Sequence, residues 1–105
     1  MDRIVITGMG VLSPAGLTLE EFWNTLVSAK PVYGPLPEWA DDDRYRVKLG
    51  ARLQRYDWAK DLPLKSYGKA ACYCMAAAAR AMEDAGLSRR SMGTRRVAVI
   101  IGTAM

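Results

Sequence analysis

At 105 residues the chain is long enough for one small domain or for part of a larger one. Its composition, 50% hydrophobic and 25% charged, excludes a disordered polymer and asks for a core. No apolar run approaches the roughly 20 residues of a membrane-spanning helix, and Asp2 and Gly8 interrupt the place of a signal peptide, so the expectation is a cytoplasmic protein without a membrane span. The net charge of +4 comes from basic residues spread between Arg44 and Lys69 and from the cluster Arg89, Arg90, Arg95 and Arg96. No nucleic-acid-binding motif accompanies them, and the aromatic residues form no stacking strip, so nucleic acid is not expected as a partner.

The first element is the run Ile4-Val5-Ile6, β-branched and apolar throughout, which suits a strand covered on both faces. It feeds a loop, Thr7-Gly8-Met9-Gly10-Val11-Leu12-Ser13-Pro14-Ala15-Gly16, in which the glycines let the backbone turn where side chains would clash. Thr18 is a helix N-cap with Glu21 three residues later, and Leu17 and Phe22 occupy the positions of a hydrophobic staple. Leu19, Phe22, Trp23, Leu26 and Val27 share one helical face, and Lys30-Pro31 ends the segment. Tyr33 to Asp43, interrupted by Gly34, Pro35 and Pro37, reads as a loop.

Tyr45, Val47, Leu49, Ala51 and Leu53 then alternate with Arg46, Lys48, Gly50 and Arg52, the pattern of a strand with one face on the core. A second helix is expected from about Leu64 to Ala85, on the spacing of Leu64, Tyr67, Ala71, Cys74, Met75, Ala78, Met82 and Ala85, with Gly86 at its C-terminal cap. Its run Ala76 to Ala79 would let it lie close to a neighbour. Gly68, inside the expected helix, calls for a close backbone contact there. The chain closes on a second buried strand, Val97 to Ile101, followed by Gly102-Thr103. It stops where that strand should deliver a functional loop, as though cut. The order of elements is that of an α/β unit spanning residues 1–105.

Chemistry-bearing residues are few. With no histidine and only Cys72 and Cys74, the chain offers no complete metal site and no internal Cys-His pair. The two thiols, one residue apart in the middle of the expected second helix, point to different sides and read as reduced packing residues. A dinucleotide-binding loop is the first reading of Gly8-Met9-Gly10, but the third glycine should fall at position 13 with a helix under way. Ser13-Pro14 stands there instead, and the capped helix begins only at Thr18.

Residues 5–16, VITGMGVLSPAG, with Glu20-Glu21-Phe22-Trp23, Ala81-Met82-Glu83-Asp84-Ala85-Gly86-Leu87 and Arg96-Val97-Ala98-Val99-Ile100-Ile101-Gly102-Thr103, together resemble the N-terminal part of the β-ketoacyl-[acyl-carrier-protein] synthases, in order and over the whole chain. The resemblance implies a partial thiolase-like fold, the first strands and helices of the N-terminal half of a dimeric condensing enzyme. It implies decarboxylative Claisen condensation in fatty-acid or polyketide synthesis, without a cofactor. In that family a cysteine carries the acyl group, while two histidines assist decarboxylation and stabilise developing negative charge. The nucleophile follows the strand on which this chain ends, and both histidines lie in the C-terminal half, so the chain holds no catalytic residue and is expected to be inactive alone.

The resemblance also implies an acyl carrier protein as partner, together with the remainder of the synthase and a homo- or heterodimer partner. It assigns Met105 to the acyl pocket and Lys65 to carrier-protein docking. Leu64-Lys65-Ser66-Tyr67-Gly68-Lys69 departs from the Arg-Met-Asp-type pattern of the fatty-acid enzymes and is closer to variants of some specialised polyketide or polyene condensing enzymes. The rival reading is a non-catalytic partner of the same fold, similar to a chain-length factor, or a truncated remnant.

Overall fold

A computed structural model describes residues 3–53 and 67–103. The loop after the first apolar run bends at Ser13-Pro14-Ala15-Gly16, where Ser13 and Gly16 exchange two backbone hydrogen bonds of 3.1 Å. The Ser13 hydroxyl accepts a further bond from the Ala15 amide at 3.1 Å. This turn delivers the chain to helix α1, Leu19–Val27. Thr18 caps it as expected, its hydroxyl accepting from the Glu21 amide at 3.1 Å, an interaction worth about 1 kcal/mol. The Glu21 carboxylate accepts from the amide of Leu17 at 2.9 Å, tying the loop to the helix start one residue earlier than a regular capping box would. The helix ends before Lys30-Pro31. Ser28 is its C-cap, and Ala29 takes the left-handed conformation (φ 51°) more often given to glycine.

The segment expected as a loop holds a short strand, β1 (Gly34–Pro35), and a 3-10 turn at Pro37–Trp39. β1 pairs antiparallel with β2 (Leu49–Gly50), in the register Gly34 to Gly50 and Pro35 to Leu49. The expected strand over residues 45–53 is thus shortened, and its burial is reversed at residues 47–50. Tyr45, Val47 and Leu49 are exposed, while Lys48 and Gly50 lie on the partly covered side. The reason is local. The buried Leu36 side chain lies over the space a Gly50 side chain would need, and the Lys48 ammonium donates to the Ala40 carbonyl, so Lys48 and Gly50 turn inward while Arg46 and Arg52 stay exposed.

Helix α2, Lys69–Asp84, is capped by Gly68 in an extended conformation. Gly68 therefore precedes the helix and has open space beside it, so the close contact expected at that position is absent. The other end follows the expectation: Gly86 is left-handed (φ 65°), its amide bonds to the Glu83 carbonyl, and the Leu87 amide bonds to that of Met82, a Schellman ending. The buried residues of α2 are Cys72 and Ala76 rather than the expected face through Ala71 and Ala78, which are exposed. A four-residue helix not expected from sequence, α3 (Arg89–Met92), is held by a reciprocal capping box between Ser88 and Ser91.

The architecture is mixed α/β. Neither expected buried strand belongs to a sheet among the described residues: Ile4 is 99% and Ile100 94% exposed, with Val5, Ile6, Val99 and Ile101 also open. The radius of gyration, 17.3 Å, exceeds the roughly 13 Å of a compact 100-residue domain.

Candidate functional site: the glycine loop on helix α2

The loop of residues 8–17 is held against one side of α2. Ala77, Ala81 and Ala85 recur every four residues and make a shallow stripe along the helix. A Cβ built on Gly8 would lie 2.4 Å from the Ala81 carbonyl oxygen and 2.6 Å from the Ala85 Cβ. One built on Gly10 would lie 2.1 Å from the Ala77 oxygen and 2.6 Å from the Ala81 nitrogen. Gly86 is the single glycine among the described residues with positive φ, so Gly8 and Gly10 are required by close approach of two backbones rather than by a left-handed turn.

Polar contacts fasten the same seam. The Met9 amide donates to the Asp84 carboxylate at 2.9 Å, and the half-buried Arg80 guanidinium donates to the Val11 carbonyl at 3.0 Å and to the Leu17 carbonyl. Arg80 thereby satisfies carbonyls at both ends of the bend, across more than 60 residues of chain. Sequence reasoning did not single out Arg80 or Asp84. The available signal was a lone arginine set among alanines on a helix otherwise suited to close packing. A cleft of about 450 Å³ opens along this seam, lined by Met9, Val11, Leu17, Leu19, Glu83 and Asp84 among others. A larger one of about 650 Å³ lies between the bend at residues 13–17, α1 and the β1/β2 pair.

Neither cleft gathers a catalytic set. Among the described residues no group of three or more histidine, cysteine or carboxylate side chains could hold a metal ion. Cys72 is fully buried and Cys74 partly so, both as free thiols. Cys72 lies one turn from the start of α2 rather than in its middle, and its thiol points at the Tyr67 carbonyl, Sγ to oxygen 3.9 Å. Lys65 and Met105, the positions implied for carrier docking and the acyl pocket, both lie outside the described residues.

Among the described residues the perturbed charges, Asp42 and Arg44, are remote from the seam. Arg44 donates to both oxygens of Asp42, at 2.6 Å for the shortest contact, and the Arg44 amide donates to the same carboxylate. First the side-chain bond and then the backbone bond hold Asp42 below its ordinary value of 3.8. Because its folded value is depressed, the contribution is present above the ordinary value and is lost as pH falls through the folded one. Carbon-detected titration of the Asp42 carboxyl is expected to give a midpoint below 3.8, rising part of the way towards it in Arg44→Gln, which keeps the backbone bond. An unchanged midpoint in the variant would remove the pair as the cause.

Comparison with known proteins places these features in a family. The model of the family described as "Beta-ketoacyl synthase, N-terminal domain" matches residues 1–105. The chain is 33% identical, over 98% of its length, to 25% of 3-oxoacyl-[acyl-carrier-protein] synthase 2 of Coxiella burnetii. It is 27% identical, again over 98% of its length, to 25% of the tetracenomycin polyketide synthase ketoacyl synthase alpha subunit of Streptomyces glaucescens. The corresponding beta subunit of that organism is 30% identical over 80% of this chain and 21% of its own. The chain thus spans about a quarter of the length of the curated relatives it matches.

Proposed function

This chain belongs to the β-ketoacyl synthase family, and from that membership we propose that it forms the first strands and helices of a thiolase-like condensing enzyme that extends acyl chains by decarboxylative Claisen condensation. The observation that carries the reading is the match of the family's N-terminal domain to all 105 residues. The exposed runs at residues 4–6 and 97–101 are in keeping with it, because apolar segments open on both sides are what a buried sheet strand presents before its neighbours are added. The seam of glycine loop and alanine stripe would act as the scaffold that sets the direction of the first strand against α2.

In this reading the chemistry resides outside these residues. A cysteine beyond residue 105 takes an acyl group from a carrier protein, and two histidines assist loss of carbon dioxide from the malonyl thioester and stabilise the resulting negative charge. The test is expression of the complete reading frame and incubation with acyl- and malonyl-carrier protein, with mass spectrometry of the products. The expected result is a β-ketoacyl carrier protein that disappears when the downstream cysteine is replaced by alanine. No product from either the complete protein or its variant would favour a second reading, a non-catalytic dimer partner, for which the likeness to the tetracenomycin beta subunit speaks. The 105-residue chain by itself is expected to give no product. Rapid acylation of it, lost in Cys72→Ala or Cys74→Ala, would overturn the reading altogether.

Carrier docking through Lys65 belongs to the same proposal. Charges at the rim of an interface act mainly on encounter rate and its salt dependence. In the complete enzyme Lys65→Glu is expected to raise the KM for carrier-bound substrate several-fold at low salt and to leave kcat unchanged. Equal KM values at low salt would remove Lys65 from the interface.

A further inference from the structure

Helix α1 is poorly equipped to stand by itself. It has nine residues, and helices shorter than about 12 to 15 residues are marginal in water unless tertiary packing holds them. Phe22, Trp23, Asn24, Thr25 and Val27 come from the weaker helix formers, and no basic side chain in the last turn complements the helix dipole. Packing does not make up the difference. No residue of α1 is buried, and Leu19, Trp23, Leu26 and Val27 are exposed. Glu21, Asn24 and Thr25 border the cleft toward the β1/β2 pair, while Leu19 and Glu20 border the cleft along α2, so open space lies on both flanks.

The fastenings of α1 gather at Gly16 and Leu17, just ahead of its cap. The Leu17 amide donates to the Glu21 carboxylate at 2.9 Å, and the Leu17 carbonyl accepts from the Arg80 guanidinium. Gly16 comes so close to the Phe22 amide that no Cβ would fit between them. Thr18 and Glu21 are the cap and first turn of α1, so their bonds exist only once the helix does. Arg80 reaches in from α2, a helix of 16 residues rich in alanine and therefore better able to persist. Its bond to the Val11 carbonyl at 3.0 Å steadies the other end of the same bend.

We infer that α1 is a conditional helix, ordered while Arg80 of α2 grips the bend ahead of it and frayed when that grip is lost. Arg80 thereby couples the state of α2 to that of α1. The residue type suits the task, because a guanidinium presents several donors in a fixed fork and serves two carbonyls at once, whereas a lysine ammonium is a single point of charge. A short helix without a buried face is the kind of segment that opens at low free energy, and its opening follows whatever releases its anchor. The inference concerns the fold alone and does not rest on the catalytic reading.

The test is hydrogen exchange of the complete protein, read by mass spectrometry on peptides covering residues 18–28 and 69–79, in the parent, Arg80→Ala and Arg80→Lys. Arg90→Ala, at an exposed position, is the control. Arg80→Ala is expected to speed exchange over residues 18–28 about tenfold and over residues 69–79 less than about twofold. Arg80→Lys is expected to give about a threefold change over residues 18–28, and Arg90→Ala none. Unchanged exchange over residues 18–28 in Arg80→Ala would mean that other contacts of the complete protein hold α1, and would overturn the inference. Equal acceleration of both peptides, the mark of general destabilisation, would overturn it as well. Should Arg80→Ala fail to fold, Arg80→Lys decides by the same two comparisons.

Discussion

Replacing Gly10 with leucine is expected to destabilise the seam between the glycine loop and α2 by about 3 kcal/mol, the upper part of the usual range for overpacking. The first side-chain atom alone would stand 2.1 Å from the Ala77 carbonyl oxygen and 2.6 Å from the Ala81 nitrogen. Both obstacles are helix backbone, which cannot swing aside as a flexible side chain would, so the loop has to lift. Lifting it also breaks the Met9 amide bond to Asp84 and draws the Val11 and Leu17 carbonyls away from Arg80. Denaturant unfolding of the complete protein, followed by circular dichroism, measures the change, with Gly34→Ala as the control. Gly34 has nothing within 4 Å of its would-be Cβ, and its substitution is expected to stay within about 0.5 kcal/mol of the parent. Equal unfolding curves for Gly10→Leu and the parent would mean that the loop does not rest on the alanine stripe.

The 105-residue chain in isolation is expected to self-associate at micromolar concentration. Ile4, Val5, Ile6, Val99, Ile100 and Ile101 are all largely exposed, in two runs whose consecutive side chains leave no face polar. Burying six such residues yields roughly 9 to 18 kcal/mol at about 1.5 to 3 kcal/mol each. Association costs about 4 to 15 kcal/mol in lost freedom, so the balance reaches the roughly 8 kcal/mol of a micromolar complex where burial is near the upper value and the cost near the lower. Backbone groups along the two runs that belong to no sheet add a template for strand pairing. Sedimentation velocity over a concentration series should show the weight-average mass rising with concentration, and Ile4→Lys combined with Ile100→Lys should shift that rise to higher concentration. A concentration-independent monomer with a cooperative melt would contradict the expectation.

Local chemistry was legible in the sequence at the caps of the two longer helices, though the equally local Ser88–Ser91 capping box went unread. Thr18 caps α1 because a hydroxyl ahead of a helix meets free amides whatever surrounds it, and Gly86 ends α2 because glycine takes positive φ without strain. The alanine run announced close packing, and the order of short motifs along the chain was enough to point to the family that the comparison then found. Tertiary structure decided which glycine needed that closeness. Gly68 was the candidate by position, yet Gly8 and Gly10 meet the helix, because a contact between residues more than 60 apart leaves no periodicity on either segment.

The same distance hid Arg80, whose guanidinium serves carbonyls from the other end of the chain. Burial, too, was a tertiary matter. The alternation of residues 45–53 fixed which side chains share a face, but the β1 pairing and Leu36 determined that Lys48 and Gly50 would be the covered set. Sequence periodicity distinguishes one face of a strand from the other; which face meets the protein depends on where its neighbour lies, and that is a property of the assembled fold.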